Sequence, residues 1–173
     1  MKSLTDWIAA TGPSQMLQRN EAWAIPTIQS IHIAAIGVVL ACVLMLTLRI
    51  LGYAGMDLTL VQTERRFGPW FRGALWLLLG TGLVMIVGEP ERELVTFSFW
   101  AKMALVALGA ATAFRFHRLL RTHGQAFEDS IADRKAVKVM AVVSLVVWLA
   151  VVFLGRLIAY DHIWGPLSPA TKA

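Results

Sequence analysis

The stretch Ile25–Leu48, IPTIQSIHIAAIGVVLACVLMLTL, decides the fold, because it runs for the length of a membrane-crossing helix without an acidic residue, lysine or arginine. A bilayer core about 30 Å thick needs roughly 20 apolar residues in helical form. Three more runs have that character, at about Trp70–Val87, Phe97–Phe114 and Val137–Tyr160. The reading is an all-α integral membrane four-helix bundle in a single domain spanning residues 1–173. In the N-terminal segment SLTDWIAA, Leu4, Trp7 and Ile8 share one side, which predicts a short interfacial helix ended by Gly12 and Pro13.

Composition agrees with the spans. The chain has 173 residues, 57% of them hydrophobic, and a mean hydropathy of +0.63, more apolar content than one soluble core can bury. The net charge of +5 would point to nucleic acid in a soluble protein, but here the basic residues flank apolar runs, so no nucleic-acid partner is expected. The lone cysteine, Cys42, lies inside the first run and allows no intramolecular disulfide. The N-terminus shows no hydrophobic region of signal-peptide type, so the first span is expected to direct insertion.

Orientation follows from the arginines and lysines. Arg49, Arg65, Arg66 and Arg72 flank the first connection, and Arg115, Arg118, Arg121, Arg134, Lys135 and Lys138 flank the third. By the positive-inside rule these connections are expected to be cytoplasmic and both termini to face outward. The second connection, GEPERELVT, sets Glu89, Glu91 and Glu93 against Arg92 alone. Within the first connection Asp57 is the expected cap of a short helix, with Gly68 and Pro69 opening the second span. The pattern from Ser130 to Asp133 resembles a capping box before the fourth span. On these boundaries none of the four spans contains an aspartate or glutamate, and His117 is expected to be a solvated residue at the end of the third.

Three cationic-type side chains fall within the spans toward the outer side. At 1.5 Å per residue, His32 lies about 10 Å deep, Lys102 about 8 Å and Arg156 about 6 Å. A charge placed in hydrocarbon costs about 3 kcal/mol even on the lenient insertion scale, so such residues point to function. The uncharged forms of imidazole and amine each offer a lone pair to iron, and hydrocarbon favours uncharged forms. Arg156 would then meet the propionates of a haem. Copper is the alternative metal, with Met85 and Met103 as soft ligands beside His32. Plainer readings stand next to these: His32 hydrogen-bonding a neighbouring helix, Lys102 snorkelling to headgroups, and Arg156 snorkelling or meeting the glutamate-rich connection. Gly37 and Ala41, and Gly109 and Ala113, are spaced for close helix approach, and Gly80, Thr81 and Gly82 keep the second span slender.

Two segments, SIHIAAIGVVLACVLMLTLRILGY at residues 30–53 and FSFWAKMALVALGAATAFRFHRLL at residues 97–120, carry a family resemblance. The chain resembles a group of small bacterial membrane proteins that includes the haem-b protoporphyrinogen oxidase family and the CopD-type copper-resistance proteins. The landmarks are His32, Leu48-Arg49-Ile50-Leu51-Gly52, Thr81-Gly82 and Phe99-Trp100-Ala101-Lys102, within about residues 25–118. The resemblance implies haem b held by His32 and Lys102, with Arg49 and Trp100 as further cofactor-binding positions. It implies one-electron transfer or oxidation of a small hydrophobic substrate, with quinone or another membrane redox protein as partner. CopD-like copper binding or transport, and an accessory membrane subunit without cofactor, are the alternatives.

Overall fold

The computed structural model describes residues 2–90, 94, 97–129 and 131–159. Readings that involve Glu91, Arg92, Glu93, Ser130 or Tyr160 lie outside the described residues. Among the described residues the helices follow in order: α1 (Lys2–Ala9), α2 (Gly12–Arg19), α3 (Glu21–Leu51), α4 (Leu60–Gly88), α5 (Phe97–Asp129) and α6 (Ile131–Ala159). The last four are long and apolar enough to cross a membrane, which makes this a multi-pass membrane protein with a four-helix bundle. Their faces remain rich in exposed large apolar side chains, among them Trp76, Leu79, Leu83, Val146 and Phe153. A soluble monomer does not carry so much exposed apolar surface; a chain dissolved in lipid does.

The N-terminal helix forms as expected, but Gly12 and Pro13 also open α2, where proline is tolerated because the first-turn N–H groups have no helical partner. The connection from α3 to α4 follows from its glycine. Gly52 has a φ of +86°, and the N–H groups of Gly52 and Tyr53 return to the carbonyls of Arg49 and Leu48 in a Schellman motif. Asp57 is not the cap of the next helix. Thr59 is: its hydroxyl accepts from the Gln62 N–H at 3.2 Å, and the Thr59 N–H donates to Gln62 Oε1 at 2.9 Å, a reciprocal capping box.

A second correction concerns the start of the helix that carries the second span. Gly68 and Pro69 do not open it; α4 begins at Leu60 and runs through Pro69 without a break. Proline costs one backbone bond there, a loss that membrane helices accommodate by local adjustment and neighbouring groups. The helix therefore carries Glu64, ahead of the apolar run that begins near Trp70. α5 is likewise longer than its apolar run, with a kink at His123 where the backbone leaves helical geometry.

The packing divides into two compact units, each drawing on all four long helices: residues 1–36, 76–104 and 151–173 in one, residues 37–75 and 105–150 in the other. In the first, Gly88 of α4 lies against Ile25 of α3 and Leu17 of α2, where a Cβ would come within 2.7 Å of Ile25. In the second, Leu46, Ile50, Leu60, Phe116, Leu120, Val137 and Ala141 form one buried cluster. Gly109 of α5 touches Val147 and Trp148 of α6, the close approach that small residues permit between membrane helices.

Candidate functional site

His32 sits in the first half of α3 and is half-buried. Its Nδ1 lies 2.7 Å from Thr81 Oγ1 on α4. The threonine hydroxyl also lies 2.7 Å from the Leu77 carbonyl, the helical back-bond common for threonine. One hydroxyl proton cannot serve both contacts. A carbonyl can only accept, so the Thr81 O–H donates to Leu77 and its oxygen accepts from His32 Nδ1–H. In the neutral imidazole this assigns the lone pair to Nε2, the arrangement in which a ring nitrogen binds a metal while the other is held by a hydrogen bond. A Cβ at Gly82, the next residue, would stand 3.7 Å from His32 Cε1, so glycine keeps that side of the ring uncrowded.

Lys102 reaches this region from α5. Its ammonium lies within electrostatic range of the His32 ring, and its Nζ would be 3.5 Å from a Cβ at Gly155 of α6. The lysine thus lies against α6 at Gly155, and Arg156 is the next residue, with an exposed side chain. His32, Thr81, Gly82, Lys102 and Gly155 come together from four different helices. In the sequence Thr81 and Gly82 stand out as landmarks and as small residues of a slender span; the part of Thr81 becomes visible once it is seen to orient the imidazole.

Two resemblance-implied positions are not brought to His32. Arg49 stands 17 residues further along α3, about 25 Å at helical rise. Its Nε donates to the Leu58 carbonyl and its Nη1 approaches the Met56 sulfur, so it ties down the α3–α4 connection. Trp100 is exposed, about 200° around α5 from Lys102, and its Nε1 donates to the Leu94 carbonyl at 3.0 Å. Met85 and Met103 are half-buried. Among the described residues there is no group of three or more His, Cys, Asp or Glu side chains placed to hold a metal ion.

The second unit contains a polar centre that the apolar-run boundaries concealed. Glu64 of α4 is wholly buried. Its Oε2 accepts from Arg121 Nε at 2.7 Å, and its Oε1 faces His117 Nδ1 at 3.3 Å and an Arg72 guanidinium nitrogen at 3.5 Å. His117 is therefore buried rather than solvated, with Phe71 stacked 5.0 Å from its ring and Trp148 edge-on to Phe71. Since an ionised carboxylate only accepts, His117 donates through Nδ1. A cavity of about 10 Å³, room for about one water, lies beside His117, with Thr47 and Ser144 supplying hydroxyls. The signal for this centre was present as spacing: Glu64, Gly68 and Arg72 recur every four residues on α4, as do His117 and Arg121 on α5.

Fold and sites together define a multi-pass helical membrane protein with one histidine–lysine centre and one buried carboxylate–arginine centre. The chain belongs to a family of unknown function, DUF6644, whose model matches residues 22–161. That match spans all four membrane helices and both centres. No curated protein and no solved structure matches the chain.

Proposed function

We propose that this protein is a haem-b-binding redox protein of the bacterial inner membrane, with His32 and Lys102 as the iron ligands. One observation carries the reading: Thr81 holds His32 Nδ1–H, which leaves the Nε2 lone pair for a metal, with an amine from another helix close by. The donor set fits haem iron, since an imidazole and a neutral amine both coordinate it, and Gly82 and Gly155 withhold side chains next to the two ligands. Arg156, beside Gly155, supplies a positive charge of the kind a propionate meets. The resemblance to the haem-b protoporphyrinogen oxidase family rests on the same histidine and lysine. Bound haem would supply a one-electron couple, and the chain's own part is to orient the ligands and keep them in a low-dielectric surrounding. Quinone or another membrane redox protein is the electron partner in this reading. The arginine-rich connections support cytoplasmic placement for the α3–α4 and α5–α6 loops and periplasmic termini.

A second reading has an observation of its own. The His32–Thr81 bond is an interhelical hydrogen bond as it stands, a contact worth about 1 kcal/mol in membrane proteins, and an accessory subunit without cofactor needs no more than that. Haem, iron and copper per chain, measured on protein purified in mild detergent after expression with haem supply, separate these readings. One haem per chain, lost in His32→Ala, supports the first. Folded protein without haem or metal supports the second, and stoichiometric copper without haem supports the CopD-like alternative.

A further inference from the structure

The carboxylate–arginine centre has a charge imbalance and a geometry that suit a ligand. Two guanidinium groups, from α4 and α5, lean on one buried carboxylate, which leaves one positive charge in excess with His117 neutral. Glu64 is the only acidic side chain that either arginine meets among the described residues. Arg121 engages Glu64 through Nε and its side chain is about half exposed, so the outer edge of its guanidinium is open to a further partner. Arg72 is one-third exposed and uses Nη1 toward Glu64. Glu64 thus fixes the orientation of both forks and itself stays hidden.

The position along the helices indicates what the forks meet. Residues 73–88 of α4 and 103–114 of α5 carry no charged side chain, so Arg72 and Arg121 stand at or beyond the edge of the apolar stretches, where lipid phosphates lie. Trp70, 69% exposed, belongs to the same turn of α4 as Arg72, and tryptophan favours that interfacial layer. Guanidinium forks match the oxygens of a phosphate group in pairs, and prior fixing of their orientation removes an ordering cost from binding. We propose that Arg72 and Arg121, oriented by Glu64, form a site for the phosphate of an anionic phospholipid. The site stands independently of the haem reading.

Native mass spectrometry of the full chain, released from mild detergent with added phosphatidylglycerol or phosphatidylcholine, tests this. Phosphatidylglycerol is expected to bind at least tenfold more tightly than phosphatidylcholine, and Arg72→Gln combined with Arg121→Gln is expected to abolish the preference. Arg115→Gln, which removes an exposed charge on another side of α5, is expected to leave it within twofold. Glu64→Gln is the decisive variant, because it makes the protein more positive while releasing both forks. Simple charge attraction requires tighter binding in that variant, whereas the oriented site requires binding about tenfold weaker. Arg121→Lys, which keeps the charge and loses the fork, is expected to weaken binding by a similar factor and serves if Glu64→Gln does not fold. The proposal is overturned by unchanged or tighter binding in these two variants, by an equal loss in Arg115→Gln, or by equal affinity for the two lipids. Millimolar inorganic phosphate is expected not to displace the lipid, and displacement would assign the site to a free anion instead.

Discussion

Gly68 is the point at which the buried carboxylate centre can be tested by a single methyl group. A Cβ at this position would collide with Glu64 Oε1 and would lie 3.1 Å from Glu64 Cδ and 3.3 Å from an Arg72 nitrogen. In an isolated helix Gly68→Ala is favourable by about 1 kcal/mol. Here the methyl group displaces the oxygen that faces His117 and Arg72, while Oε2 keeps Arg121. Hydrogen bonds to charged groups contribute about 1.5–3 kcal/mol each. Both contacts are long and Arg72 is partly solvated, so the two together are discounted to about 3 kcal/mol. The net expectation is a loss of about 2 kcal/mol, a fall in Tm of about 4–8 °C for a chain of this size. Cys42, buried and the only cysteine, provides the assay, since a thiol-reactive dye labels it only as the bundle opens. Gly73→Ala and Gly80→Ala, whose added Cβ atoms meet nothing within 4 Å, are the controls and are expected to match or exceed the wild type. If Gly68→Ala is as stable as those controls, Glu64 is not locked and the carboxylate centre does not bind α4 to α5.

Further expectations concern both units. Thr81→Val removes the acceptor for His32 Nδ1–H and should lower haem affinity 10–100-fold in a haem titration, the usual cost of losing a group that orients a metal ligand, while Thr81→Ser should retain it. A preserved affinity in Thr81→Val would mean that the hydroxyl does not set the imidazole. Gly109→Val should destabilise by about 1–3 kcal/mol in the Cys42 assay, because even a Cβ there comes within 3.2 Å of Val147 and 3.5 Å of Trp148. The buried Trp148 Nε1–H meets no partner among the described residues, so Trp148→Phe trades an unmet donor against lost volume and should change stability by less than about 1 kcal/mol. A larger loss would show that the indole N–H is satisfied in the folded protein.

The apolar runs made the number of membrane helices legible, because hydrocarbon imposes both length and composition on a spanning segment. Helix ends were less legible. Gly68-Pro69 has the composition of a helix start, yet α4 passes through it, so Glu64 lies on the same helix as Arg72 rather than on a separate short one. His117 is misread at a helix end too, since flanking arginines at Arg115 and Arg118 give it the look of a solvated terminus, while its own face of α5 turns toward Glu64. His32 and Lys102 could be singled out from depth alone. Their convergence, and the part played by Thr81, depends on how the helices are rotated, and a threonine in an apolar helix gives no sign of which neighbour it addresses. Arg49 shares a helix with His32, and its contact with the Leu58 carbonyl, which holds the α3–α4 connection, depends on a turn the sequence does not spell out.

The most direct test of the histidine–lysine centre is the dithionite-reduced minus oxidised absorption spectrum of the purified, haem-supplied protein, recorded for the wild type and for His32→Ala. The expected result is a Soret and α-band difference spectrum of b type in the wild type and its loss in a His32→Ala protein that remains folded by the Cys42 assay. A wild type without those bands, or a His32→Ala variant with an unchanged spectrum, contradicts haem ligation by His32.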